Sequence, residues 1–260
     1  MPKSGDLLMD LLPHILAKRW HRWREVKDVG AARPLRTAIS PSRYVEFKGA
    51  QLRLLPSGSL RELRVVVDVG ANVGDWSCAL LNSTTLDTLI AIEPNPAVVD
   101  VLHARLAWAR QARVVNVAVG AENGTLPFHA TVGTVCGSLL VPRKEMEGLY
   151  GDTMRVQNVV QVPVQRLDDV LADVAEVSLL KIDVQGSEQA VLAGASATLR
   201  RTQMLLIEVN FVSHYEGDIL FPELHSLLER HGFALANLSP PFRIQGKVLW
   251  ADALYCRRTP

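Results

Sequence analysis

Three carboxylates, Glu93, Asp183 and Glu208, stand at or near the ends of short apolar runs: Thr88-Leu89-Ile90-Ala91-Ile92, Val177-Ser178-Leu179-Leu180-Lys181-Ile182 and Met204-Leu205-Leu206-Ile207. One terminal acid can brace a fold. Three at equivalent strand ends point to a ligand at the carboxyl edge of an open parallel sheet. A fourth acid, Asp68, stands just before Gly70-Ala71-Asn72-Val73-Gly74, a G-x-N-x-G loop that differs from the G-x-G-x-x-G of dinucleotide binders. A pyrophosphate favours an open helix N-terminus, whereas a loop preceded by an acid suits a ligand with a cationic end, such as an amino-acid ammonium group. Glu93 is spaced to accept hydrogen bonds from both ribose hydroxyls of a nucleoside.

These residues need a βαβ frame. Val65 to Val69 is β-branched but for Asp68 and halts at Gly70, which predicts a strand buried on both faces. Gly70 and Gly74 bracket a turn into a helix, where missing Cβ atoms permit positive φ and close approach of a ligand. Val98, Val99, Leu102, Leu106 and Ala109 share one face of a second helix over 95 to 109. Arg113 to Val117 is a third strand, with Asn116, Ala118 and Val119 at its end as candidates for an adenine ring. Leu126 to Ala130 pairs in prospect with Val135 to Val141 as an inserted hairpin, and the polar residues 142 to 160 suggest a mobile loop. Asp168 to Val174 is helical, Ser187 is placed to cap a helix, and a helix over Phe221 to His231 closes at Gly232. Phe233 to Leu238 and Lys247 to Cys256 supply the last strands, the second returning antiparallel.

With 260 residues, 48% of them hydrophobic, the chain can build one large α/β domain, and its net charge of +1 gives no general case for nucleic acid. Cys78, Cys136 and Cys256 are scattered, which fits a reducing, cytoplasmic setting. No apolar stretch reaches the roughly 20 residues of a membrane span. Residues 1–60 differ from the rest: Ile15, Leu16, Trp20 and Trp23 recur at helical spacing among basic residues, and Tyr44 to Leu55 suggests a short hairpin or edge strand. This extension is expected to cap the 61–260 domain or to contact a second copy in a homo-oligomer; peripheral contact with a membrane is the other reading.

The glycine loop, Glu93-Pro94-Asn95 and Lys181-Ile182-Asp183-Val184-Gln185-Gly186, in this order, make the chain resemble the FkbM family of S-adenosylmethionine-dependent methyltransferases from about Val65 to Cys256. The resemblance implies a class I methyltransferase Rossmann-like fold, with a seven-stranded, mostly parallel sheet and helices on both faces. It places Asp68, Gly70, Asn72 and Gly74 near the methionine part of S-adenosylmethionine, Glu93 on the ribose and Asp183 beside the sulfonium, with Pro94 and Asn95 as further cofactor-binding residues. It also implies a small hydroxylated acceptor, often a sugar or natural-product alcohol, and S-adenosylhomocysteine as product. The loop centre is Asn72, as is common in this family.

An alcohol is a poor nucleophile until its proton leaves, so a carboxylate, histidine or metal ion must help. Asp183 and Glu208 are best placed by strand position, with His129 and His214 as further candidates; Asp183 with Glu208 is also a possible magnesium pair. Two other readings stand beside this one. A non-catalytic scaffold would have let the rim acids decay, and a nucleic-acid methyltransferase would be expected to carry an asparagine-proline-proline-tyrosine type of motif, which is absent.

Overall fold

The computed structural model describes residues 51–258, so the basic segment around Trp20 and Trp23 and the Tyr44 end of the expected hairpin lie outside the described residues. In chain order come β1 (Val65–Val69), α1 (Asp75–Ser83), β2 (Thr88–Ile92), α2 (Pro96–Leu106), β3 (Ala112–Val115), β4 (Ala118–Val119), β5 (Gly124–Thr131), α3 (Lys144–Tyr150) and β6 (Val156–Gln165). Then follow α4 (Leu167–Val170), β7 (Val177–Ile182), α5 (Glu188–Ala193), α6 (Ser196–Arg200), β8 (Thr202–Asn210), α7 (Phe221–Arg230), β9 (Phe233–Leu238), β10 (Phe242–Ile244) and β11 (Lys247–Arg257). The main sheet runs β3-β2-β1-β7-β8-β11, parallel except for β11, which lies antiparallel to β8. On the outer side of β11, β10 pairs with its first residues and β9 with its last, so eight strands occupy seven positions.

Alternation along each strand divides the core between the two faces of the sheet. Val67, Val69, Leu180, Ile182, Leu205 and Ile207 pack with residues of α4 to α7, whereas Val66, Leu89, Leu179 and Leu206 pack with α1 and α2. Asp68 and Lys181 fall on the α1 side. Leu52, Leu54 and Leu55 are buried in that second layer, and Gln51 donates to Asp252 across 2.7 Å. Residues 51–55 thus pack against the domain, and the described part of the expected hairpin is a short helical turn, not a strand.

Two further expectations are corrected. β5 pairs antiparallel with β6, while Val135 to Val141 contributes only the His129–Ser138 bridge. The pairing with β6 sets Phe128, Val162 and Val164 on one buried face, together with Ala118 of β4. Residues 142 to 160 fold as α3, a 3-10 turn and the start of β6; Met146 and Met154 pack with Tyr215, and Arg143 donates its N–H to the His214 carbonyl.

Candidate active site

The glycine loop begins where β1 ends, and its backbone takes left-handed values at Gly70 (φ 81), Asn72 (φ 49) and Gly74 (φ 82). The physical need for the two glycines lies within the protein. A Cβ on Gly70 would stand 1.9 Å from the Asp183 carbonyl oxygen, and one on Gly74 would stand 2.7 Å from Leu102 Cδ1. Each glycine thus lets the loop lie against the end of β7 or against α2, where the sequence alone suggested room for a ligand. Asn72 tolerates its left-handed turn and uses its side chain as well. Its Nδ2 donates to the Thr134 carbonyl (2.8 Å), and its Oδ1 accepts from the Val73 N–H (2.9 Å) and the Thr134 hydroxyl (3.2 Å).

Glu93 is buried at the end of β2, with Oε2 accepting from the Asn72 N–H (2.7 Å) and Oε1 from the Asn95 N–H (2.8 Å). Burial pushes its carboxyl up to about 7, against the pull of those two N–H groups and despite the cation of Lys181. Each carboxylate oxygen keeps a second lone pair, so the pair of acceptors fits a ribose diol whose hydroxyls donate. Asn95 spends its own side chain capping α2, accepting from the Ala97 N–H, with Pro94 between it and Glu93. Asn116 donates to the Glu93 carbonyl (2.7 Å), which ties the end of β3 to that of β2. Ala118 and Val119 are core residues of β4, each 3% exposed, so their side chains serve packing.

Asp68 is not at the loop surface. It is fully buried beneath α1, accepting from the Ser77 hydroxyl (2.7 Å) and the Lys181 ammonium (2.9 Å). The same ammonium lies 3.5 Å from Asp183 Oδ2 and 5.7 Å from the Trp76 ring centroid. A lysine inside an apolar strand is the sequence signal for such a pair, and the partner is what the chain order does not disclose.

Asp183 and Glu208 do come together. Gln185 Nε2 donates to Asp183 Oδ1 (2.8 Å) and to Glu208 Oε1 (3.3 Å), while Gln185 Oε1 accepts from the Tyr215 hydroxyl (3.1 Å). Among the described residues no group of three or more His, Cys, Asp or Glu could hold a metal ion, so the magnesium expectation has the two carboxylates of Asp183 and Glu208 as its whole acidic ligand set. Ser187 makes no capping bond; the Glu188 carboxylate instead accepts from the Val184 and Gly186 N–H groups.

The two histidines part company. His129 meets Ser138 through its backbone and its Nδ1 is buried without a partner. His214 is buried, with Nδ1 2.8 Å from the Val212 carbonyl and Nε2 2.9 Å from the Tyr150 hydroxyl. A carbonyl can only accept, so Nδ1 carries the proton and Nε2 accepts from the phenol. Burial lowers the pKa of His214, outweighing the Val212 carbonyl and Asp218, and keeps the ring neutral. Tyr150 also stacks on Phe242, and Phe242 on Trp250, with ring centroids 6.3 and 5.1 Å apart. Sequence reasoning missed Tyr150 and Gln185 as site residues.

Comparison with known proteins bears on family and fold. The Methyltransferase FkbM domain family matches residues 68–235. The chain is 33% identical over 205 residues to 31-O-demethyl-FK506 methyltransferase FkbM of Streptomyces tacrolimicus, covering 70% of this chain and 77% of that one. It is 26% identical over 173 residues to 2-O-methyltransferase NoeI of Sinorhizobium fredii, covering 63% and 70%. The crystal structure of methyltransferase FkbM from Methylobacillus flagellatus KT superposes with a TM-score of 0.52 at 18% identity over 84% of this chain, which spans 50% of that structure's length. This likeness is one of fold, the class I methyltransferase arrangement.

Proposed function

The chain belongs to the FkbM methyltransferase family, and from that premise we propose that it transfers a methyl group from S-adenosylmethionine to a hydroxyl oxygen of a small molecule, such as a sugar, glycoside, glycolipid or other natural product. The observation that carries the reading is the row of carboxylates on one edge of the sheet: Glu93 beside the glycine loop, then Asp183 and Glu208 sharing the Gln185 amide. Two relatives whose printed names place the methyl on oxygen support the acceptor class.

In this reading Glu93 accepts from the ribose hydroxyls, and the loop over Gly70 to Gly74 holds the amino-acid end. When bound, the cofactor supplies an electrophilic methyl group on a sulfonium. The work left to the chain is alignment, exclusion of water and removal of one proton. An oxygen of Asp183 or Glu208 takes the proton of the acceptor hydroxyl, so that the oxygen lone pair becomes available. Tyr150, Phe242 and Trp250 form an aromatic wall on which an acceptor ring can stack.

The test is to incubate the protein with labelled S-adenosylmethionine and a panel of hydroxylated sugars, glycosides and natural-product alcohols. Label should pass to oxygen in at least one of them. Transfer to a nitrogen or carbon acceptor alone would refute the reading.

A further inference from the structure

We propose that Gln185 is a positioning residue for the acceptor side: its single side-chain amide holds the carboxylates of Asp183 and Glu208 together as proton acceptors. The inference rests on the hydroxyl-transfer reading above. Gln185 is one of three non-glycine residues with positive φ among the described residues, at φ 57, a conformation that costs an L side chain free energy. A glycine would make this turn with less strain, so the side chain must return something.

Hydrogen bonds on both sides hold the backbone of this turn. The Ser138 hydroxyl donates to its backbone carbonyl (2.7 Å), and the Glu188 carboxylate accepts from the N–H groups of Val184 and Gly186 on either side. Next to it Gly186 lies against Tyr215, where a Cβ would stand 2.8 Å from the ring. The Tyr215 hydroxyl, whose one proton lies between the Cys136 carbonyl (2.9 Å) and Gln185 Oε1 (3.1 Å), stands on the oxygen side of the amide, while the two carboxylates, which can only accept, fix Nε2 toward themselves. A neutral donor between two like charges offsets their repulsion yet adds no cation.

Other groups share this space. Lys181 on β7 lies against Asp183, which is also within electrostatic reach of Glu188 on α5 and of Cys136. Cys136, Tyr150 on α3 and Tyr215 are within reach of Glu208, and Asp252 is its register partner on β11. Lys181 already serves Asp183 from its other oxygen, so the contribution specific to Gln185 is the link to Glu208.

The experiment is a carbon-13 carboxyl titration of the full chain, with Asp183→Asn and Glu208→Gln assigning the two signals, repeated in Gln185→Leu and Gln185→Gly. Leucine keeps bulk and removes the donor; glycine removes the side chain and relieves the left-handed backbone. In both variants the midpoints of Asp183 and Glu208 should rise by about one pH unit, a tenfold gain in proton affinity. The acid limb of single-turnover transfer should move with them. Unchanged midpoints in the folded glycine variant would overturn the inference and leave Gln185 as a turn residue. Wild-type transfer rates in Asp183→Asn and Glu208→Gln, with midpoints still shifted in the Gln185 variants, would instead refute the proton-acceptor reading and leave the clamp standing.

Discussion

The Lys181 ammonium donates to the Asp68 carboxylate across 2.9 Å with both side chains closed off from solvent. The pair joins neighbouring strands, since Asp68 and Lys181 are register partners in β1 and β7. Burial alone would lower the pKa of Lys181, but the charges of Asp68 and Asp183 outweigh it and raise the value. A base whose pKa is raised on folding contributes stability that is complete below its unfolded value and lost only as pH rises through the folded one. The pair therefore holds throughout the neutral range.

Lys181→Met should lower unfolding free energy by about 3 to 5 kcal/mol, because it strands a buried carboxylate at Asp68. Asp68→Asn combined with Lys181→Met should lose clearly less than the sum of the single changes. Urea denaturation of the three variants measures this, and strict additivity would show that the two side chains are not coupled.

Glu93 titrates near 7 in the folded chain against an ordinary value of 4.5. Between those pH values the folded state keeps a proton that the unfolded chain has lost, so this group's contribution to stability falls as pH rises through the window. The stability difference between wild type and Glu93→Gln should change by about 2 to 4 kcal/mol between pH 4 and pH 8. Glu188, also pushed up to about 7 by burial, remains in both proteins and does not enter the comparison.

Calorimetry with S-adenosylhomocysteine tests the same residue as a ribose ligand. Glu93→Ala should weaken binding by about 1 to 3 kcal/mol. Wild-type affinity should rise as pH passes through about 7, where the carboxylate ionises. Unchanged affinity in the variant would remove the ribose assignment.

Asp183→Asn and Glu208→Gln keep the shapes that Gln185 contacts while removing a base. In whichever carboxylate takes the acceptor proton, single-turnover methyl transfer should fall by about 10² to 10⁴, with much smaller changes in cofactor affinity. A chelator should leave wild-type rates unaffected.

Tyr150→Phe removes the donor to His214 Nε2 and should cost about 1 to 3 kcal/mol of stability by leaving a buried acceptor unpaired. Nitrogen-15 NMR of His214 should show the neutral Nδ1–H form at pH 7 in the wild-type protein, as the Val212 contact requires. A charged ring at that pH would contradict the assignment.

Local pattern alone specified the frame of this protein. The apolar run Val65 to Val69 permits only a strand buried on both sides, the loop Gly70 to Gly74 must turn into a helix, and Glu93, Asp183 and Glu208 follow as acids at strand ends because strand parity and spacing are properties of the chain itself. Direction and partnership are not local. Asp68 is closed into an ion pair beneath α1 because its partner, Lys181, arrives from 113 residues away on an adjacent strand. β5 takes β6 and not the nearer Val135 to Val141 because that register buries Phe128 against Val162 and Val164. Residues 142 to 160 look polar and aperiodic along the chain, yet they fold where His214 and Tyr215 supply the partners for Tyr150, Met146 and Met154. Such contacts join residues far apart in sequence, so only the folded chain decides which of the legible side chains meet.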